Sequence, residues 1–370
     1  IRQFRATSEL ARPVVVQLRE GTYLRERPFV LRSEDSGSEA SPIVYESYPD
    51  EKAILSGGRT ISGWQKADGP LWKVELPEVK SGQWYFRQLF VNGQRRDRAR
   101  LPGKNGMYAI AGVPKVDTSS WMGAAPEAKG KLPLQAFQFQ PGDISKDWAN
   151  LDDVEVVVLQ IWMEARLRIK HIDENNRVVI FTGASWRPLT WSNGYYVEHV
   201  FEGINTPGSW YLDRKEGVLF YHPLPNEEMG KVEAVAPVAE QLVRIEGDVA
   251  RREFVRNVVL RGLTFCHTAW SLPQKGYMCV QAEIIPPAAV HADGAIHCRI
   301  EGCEFARLGT WGIELRRGCK DNVITRNTMR DIGAGGIKIG EPEDSSEDVE
   351  ETSHTVVSDN RFLEGAKVYL

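Results

Sequence analysis

Four side chains in the last third of the chain would do acid–base chemistry together if folding lined them up: His267, Arg307, Asp331 and Glu364. They hold one position in successive copies of an internal repeat. The run Ile300-Glu301-Gly302-Cys303-Glu304-Phe305-Ala306-Arg307-Leu308-Gly309 aligns with Ile324-Thr325-Arg326-Asn327-Thr328-Met329-Arg330-Asp331-Ile332-Gly333 at an offset of 24 residues. A third copy starts at Val357, 33 residues further on, and the acidic loop from Glu341 to Glu351 supplies the excess. An earlier copy runs from Leu260 to His267. Copies stacked as neighbouring strands lie about 4.8 Å apart. Two carboxylates at that spacing suit glycoside hydrolysis, in which one of raised pKa acts as acid while the other stays ionised. Asp331 and Glu364 are therefore the candidate catalytic pair, with His267 and Arg307 as candidate substrate-binding groups. Arg307 lies one copy from Asp331 and two from Glu364, which favours Asp331 as the ionised nucleophile and Glu364 as the acid. The same residues would equally form a solvated surface ladder.

A second column holds His291, Glu314 and Lys338. They alternate with Val290, Ile313, Leu315, Ile337 and Ile339, which places them on the outer face of one strand stack. A groove along such a face suits a polysaccharide. Lys with Glu and His would also serve a lyase, as base and charge neutraliser; a plain surface ladder is the alternative. Trp270 and Trp311 are further substrate-binding candidates. The insertion after Trp270 carries Tyr277 and Glu283 and would wall one side of a cleft. His354 is expected to reach the Asp331/Glu364 area. The acidic stretch from Glu341 to Asp348 is a candidate for a structural calcium, but it lacks EF-hand spacing and a central glycine, so a solvated loop is the better reading. No other cofactor is expected.

The elements that must position these groups read as strands. Val14-Val15-Val16-Gln17-Leu18, Phe29-Val30-Leu31, Ile43-Val44-Tyr45 and Ala53-Ile54-Leu55 are short, β-branched and divided by turn residues. From about 84 to 232 the character changes, with Trp121, Trp148, Trp162, Trp186, Trp191 and Trp210 and longer strands such as Val154–Leu159 and Arg177–Phe181. This reads as an inserted β-sandwich-like unit whose aromatics either stack on sugar or fill the core. After 233 the 24-residue period matches one three-strand coil of a parallel β-helix. Leucine-rich repeats share the length but require helices and a Leu-x-x-Leu-x-Leu pattern, which is absent. Ile300, Phe305, Ile313, Ile324, Met329 and Ile337 are the expected core, and Asn327 and Asn360 an asparagine ladder in a turn. Residues 296–370 should form successive coils with Ile300, Ile324 and Val357 inside.

Composition sets the bounds. The chain has 370 residues, enough for two structural units, with 42% apolar and 26% charged residues. A net charge of −4 gives no positive field for nucleic acid, and the cluster Arg95, Arg96, Arg98 and Arg100 reads as a solvated or internally paired face. No apolar run reaches the about 18 residues of a membrane span. The odd number of five cysteines precludes complete internal pairing, and their spacing does not suit zinc. Small buried hydrophobes are the expected role.

Segments spanning nearly the whole chain carry a family resemblance: Gly21-Thr22-Tyr23, Pro42-Ile43-Val44-Tyr45, Leu55-Ser56-Gly57-Gly58-Arg59, Phe90-Val91-Asn92-Gly93, Gly208-Ser209-Trp210-Tyr211-Leu212-Asp213 and Asp331-Ile332-Gly333-Ala334-Gly335-Gly336-Ile337. In these the chain resembles the bacterial secreted right-handed parallel β-helix proteins related to glycoside hydrolases that act on xylosides and fucosides. The resemblance implies an all-β, right-handed parallel β-helix with an inserted β-sandwich-like domain. It also implies a secreted or periplasmic location and a carboxylate pair a coil or so apart, where Asp331 fits and Glu364 is the natural partner. The expected division is 1–83, first part of the helix; 84–232, inserted domain; and 233–370, its continuation, taken as truncated because it stops in mid-coil. The expected function is glycoside hydrolysis of a plant, algal or microbial poly- or oligosaccharide by a carboxylate pair. A polysaccharide lyase or a noncatalytic carbohydrate-binding protein is the alternative. Carbohydrate is the expected partner, and a monomer or dimer the expected state.

Overall fold

The structure is a computed structural model and describes residues 2, 12–115, 132–190, 192–278, 282–342 and 347–369. Trp121, Trp191 and residues 343–346 of the acidic loop lie outside the described residues, as does Cys279. The chain is all-β and separates into two compact units. One comprises residues 1–60, 235–270 and 284–370; the other comprises 61–234 and 271–283. The stretch 84–232 singled out from the sequence falls within the second.

The first unit is built from three long parallel sheets and a short parallel pair, Val255–Arg256 with Ala295–Ile296. Val14–Leu18, Ile43–Ser47, Val258–Arg261, Arg299–Glu301, Val323–Thr325 and Val356–Ser358 pair in that order in the first sheet. Gly21–Leu24, Ala53–Ser56, Thr264–Cys266, Glu304–Leu308, Thr328–Ile332 and Arg361–Phe362 make the second. Phe29–Arg32, Val243–Glu246, Ala288–Asp293, Trp311–Leu315 and Ile337–Ile339 make the third. The chain visits the sheets in this order on each pass, then returns to the first one strand further along.

Side chains of one column therefore stack between rungs. Tyr45, Leu260, Ile300, Ile324 and Val357 are in register in the first sheet. Leu55, Phe265, Phe305 and Met329 are in register in the second, and the two phenylalanine rings stack at 4.9 Å. Ile300, Phe305, Ile313, Ile324 and Met329 are buried, as the repeat requires, and Ile337 packs against them. Val357 departs from expectation. It pairs with Ile324 in the expected register but stays 44% exposed, because among the described residues its strand is the outermost in the sheet.

The asparagine ladder is present and explains how the corner closes. The Asn327 side-chain oxygen accepts the Cys303 N–H, and its amide donates to Ile300 O and to Asn360 Oδ1. Asn360 in turn accepts the Asn327 N–H and donates to Ile324 O. Each asparagine thus gives a corner N–H its acceptor and ties its own amide to a strand carbonyl of the preceding rung. Cys266, Cys298, Cys303 and Cys319 are free and buried, and burial pushes the Cys298 and Cys319 thiols up to about 11 and about 12.

The second unit holds antiparallel β-structure around its own core of Phe137, Val156, Leu167, Phe181, Tyr195 and Val197. Glu155–Gln160 lies between Gly194–Glu198 and Met163–Asp173, and Val178–Phe181 and Ala136–Gln138 continue that sheet. Trp148 and Trp210 are buried, whereas Trp162 and Trp186 are each 52% exposed. The arginine cluster is internally paired: Arg96 bonds Glu227, Arg98 bonds Glu155, and Arg100 covers the Tyr196 ring.

Candidate active site

The column at the end of the second sheet is set by its backbone. His267, Arg307 and Asp331 all have left-handed backbone angles, φ 60°, 56° and 52°, so three successive rungs turn the same corner at the same residue. Leu308 pairs with Ile332, which puts Arg307 beside Asp331. On the next rung the Leu363 N–H donates to Met329 O and the Ile332 N–H donates to Glu364 O, each at 2.9 Å. Asp331 and Glu364 therefore sit side by side on consecutive rungs. The half-buried Asp331 is the inner of the two; Glu364 is 56% exposed at its side chain, with Lys367 at 3.6 Å. The glycine two residues after Asp331 is forced by packing: a Cβ on Gly333 would collide with the carbonyl of Gly309 on the rung that carries Arg307.

Arg307 turns away from the carboxylates. Its Nε donates to His267 Nε2 at 3.1 Å. A guanidinium can only donate, so His267 Nε2 accepts, and Nδ1 carries the proton and donates to Ser56 Oγ at 2.9 Å. The upper half of the column is thus a Ser56–His267–Arg307 chain, and Arg307 engages His267 and not the pair below.

The second column differs from its expectation in exposure. His291, Glu314 and Lys338 are in register on the outward side of the third sheet, yet His291 and Glu314 are buried and the Lys338 side chain is only 14% exposed. The segment just before the Ala288–Asp293 strand covers them. The Lys338 ammonium donates to Ile284 O and Pro286 O at 2.9 and 3.0 Å, and the Ala288 N–H donates to Glu314 Oε1. Lys338 also pairs with Glu314 Oε2 at 2.7 Å and lies 5.6 Å from the centre of the Trp311 ring.

Asp293 completes this group and was not singled out from the sequence. His291 Nδ1 meets Glu314 Oε1 at 2.6 Å and Nε2 meets Asp293 Oδ2 at 2.7 Å. Ionised carboxylates only accept, so both ring nitrogens donate and His291 is an imidazolium. Burial opposes that charge, but the bonds to Asp293 and Glu314 raise its pKa to about 9. Burial would also raise Glu314, and the bonds from His291 and Lys338 overcome it and hold the carboxyl at about 2. The available signal was the His-x-Asp spacing, since residues two apart on a strand share a face. Asp293, its carboxylate 31% exposed, lines a cleft of about 490 Å³ with Glu246, Asp248, Glu253, Arg32 and Arg317.

Trp270 packs edge-on to Tyr369 at 5.8 Å, and the Tyr369 N–H donates to Gly333 O, two residues from Asp331. His354 stands at a different corner, in the left-handed column of Asn257, His297 and Asp321 that precedes the first sheet, and not beside Asp331 and Glu364. Tyr277 and Glu283 belong to the second unit, where both are buried and the Tyr277 hydroxyl donates to Glu283 at 2.5 Å. Burial pushes Glu283 up to about 7, with Tyr277 opposing and Glu164 adding to the rise. Among the described residues no group of three or more His, Cys, Asp or Glu side chains is arranged to hold a metal, and no helix is long and apolar enough to cross a membrane.

Residues 69–185 match the family model described as GH141 insertion domain. A solved structure titled "Glycoside hydrolase" superposes over 100% of this chain and 69% of its own, with a TM-score of 0.85 and 24% identity. A second, "The complex structure of XylC with xylose", aligns over 98% of this chain and 50% of its own at a TM-score of 0.47 and 12% identity. No curated protein matches the sequence.

Proposed function

We propose that this protein is a glycoside hydrolase that cleaves a poly- or oligosaccharide with Asp331 and Glu364 as its carboxylate pair. The observation that carries this reading is their placement on consecutive rungs, fixed by the Ile332 N–H to Glu364 O bond. The insertion-domain match and the fold shared with a glycoside hydrolase support the enzyme class. Backbone columns about 4.8 Å apart let the side chains splay to the about 5–5.5 Å of a retaining enzyme, whereas inversion needs about 6.5–9.5 Å. In this reading Asp331, the inner residue, attacks the anomeric carbon. Glu364 protonates the leaving oxygen and then, as base, activates the water that releases the sugar.

The same reading takes the three parallel sheets as a right-handed parallel β-helix, supported by the fixed order in which the chain visits them. It takes residues 84–232 as the core of an inserted β-sandwich-like domain, and it places the protein in an extracytoplasmic, secreted or periplasmic, setting where such glycans occur. The geometry favours hydrolysis over elimination. A lyase needs a base with a free valence, but the three donors of Lys338 are taken by Glu314, Ile284 O and Pro286 O.

A screen of nitrophenyl glycosides and of plant and algal polysaccharides tests the reading. Release of nitrophenol or of reducing ends without ultraviolet absorbance from unsaturated sugars is expected. Unsaturated products would make the protein a lyase, and retention of glycan without turnover would make it a binding protein.

A further inference from the structure

The tip of one hairpin in the second unit is built against the usual rules for turns. Gln160 pairs with Met163, so Ile161 and Trp162 alone form a two-residue loop. Such loops favour Gly, Asn or Asp because they demand positive φ. Here a β-branched residue takes the strained position, Ile161 with φ 27°, and it is 79% exposed. Beside it stand two indoles, Trp162 and Trp186, each 52% exposed. Neither folding stability nor turn chemistry accounts for two large apolar side chains in water at a tight turn, with a third exposed on the segment beside it.

The platform is also held rigidly. Gln160 is buried, and its amide donates to Arg187 O and Pro188 O at 3.0 and 3.3 Å, while the Ser185 hydroxyl donates to its Oε1 at 2.9 Å. These three bonds pin the Ser185–Pro188 segment to the hairpin and fix Trp186 and Arg187 beside Trp162. The Arg187 guanidinium lies 4.4 Å from the Trp162 ring centre and 5.9 Å from that of Trp186. It has no ion-pair partner among the described residues, and its Nε is buried without a hydrogen-bond acceptor.

We propose that Trp162, Trp186 and Arg187 form a binding platform for an acidic, uronate-bearing oligosaccharide. Indole faces stack on the C–H faces of sugar rings, and an arginine without a counter-charge pairs with a sugar carboxylate. Preorganisation by Gln160 removes the ordering cost that a mobile loop would carry. The proposal rests on the hydrolase reading for the ligand being carbohydrate; the acidic class comes from Arg187.

The test titrates the full chain with oligogalacturonate and with glucuronic-acid-substituted xylo-oligosaccharide, with neutral xylo-oligosaccharide as control, by tryptophan fluorescence and calorimetry. At least one acidic probe should bind, and Trp162→Ala, Trp186→Ala and Arg187→Gln should each weaken it about tenfold or more. Those variants should leave hydrolysis of a small nitrophenyl glycoside unchanged, and Asp331→Asn should leave acidic-probe binding unchanged. Absence of binding by both acidic probes, wild-type affinity in the three platform variants, or equal affinity for the neutral probe would overturn the proposal. Turnover surviving in Asp331→Asn would instead count against the catalytic pair and leave the platform standing.

Discussion

His291 Nε2 lies 2.7 Å from Asp293 Oδ2, a bond between two residues on one face of one strand, and Glu314 grips the other side of the same ring at 2.6 Å. The imidazolium is thus shared by a buried and a half-exposed carboxylate. This arrangement fixes Asp293 at the cleft and gives the fold a defined pH response.

That response is the first prediction. The pKa of His291 rises from an ordinary 6.5 to about 9, so its stabilisation is complete below 6.5 and is lost as pH rises through 9. The pKa of Glu314 falls from 4.5 to about 2, so its stabilisation is complete above 4.5 and is lost as pH falls through 2. Melting curves across this range should show the network contributing fully between pH 4.5 and 6.5. His291→Gln should flatten the alkaline side, and Glu314→Gln should cost about 3–5 kcal/mol near neutrality by leaving buried charges unpaired. An unchanged alkaline slope in His291→Gln would show that the ring is not charged in the folded state.

A second prediction has the opposite sign. The Glu283 carboxyl is raised by burial from 4.5 to about 7, so the folded state holds its proton longer than the unfolded state does. Stability should fall as pH rises from 4.5 to 7, by about 3 kcal/mol at most. Glu283→Gln keeps the neutral shape and should remove that fall. If the variant and the parent lose stability equally over this range, Glu283 is not the group responsible.

The corner ladder supplies a third. Asn327 is fully buried and its side chain makes three hydrogen bonds, to the Cys303 N–H, Ile300 O and Asn360 Oδ1. Asn327→Ala leaves the Cys303 N–H buried without its acceptor, at about 1–3 kcal/mol. Asn360→Ala, at a partly buried rung, should cost less. Equal losses in chemical denaturation would mean that burial does not set the energy of the ladder.

How much of this was legible in the sequence follows from the range over which each signal acts. The 24-residue offset is local, and it set the rung register of Ile300 with Ile324 and of Phe305 with Met329. The side-by-side placement of Asp331 and Glu364 follows from the same repeat. Coverage was not legible. Whether His291 and Glu314 meet solvent depends on where residues 284–287 run, and whether Val357 does depends on the presence of another rung. The charged core of the second unit was hidden for a different reason. Glu155 faces Glu198 across one strand pair and Arg168 across another, and Arg87 and Arg98 reach it from distant segments. Burial alone would raise the Glu155 pKa, but Arg87, Arg98 and Arg166 hold it well below the usual carboxylate range. Antiparallel pairings between segments with no repeat leave no periodic trace from which to read them.

The most direct test of the proposed catalytic pair is the turnover of Asp331→Asn and Glu364→Gln on the cognate glycoside, with melting curves to confirm that each variant is folded. Both should lose about 10²–10⁴-fold in rate, as expected when a reacting carboxylate is removed, and added azide should restore part of the Asp331→Asn rate if that residue is the nucleophile. Near wild-type turnover in either folded variant would contradict the assignment and move the chemistry to the cleft that Asp293 lines.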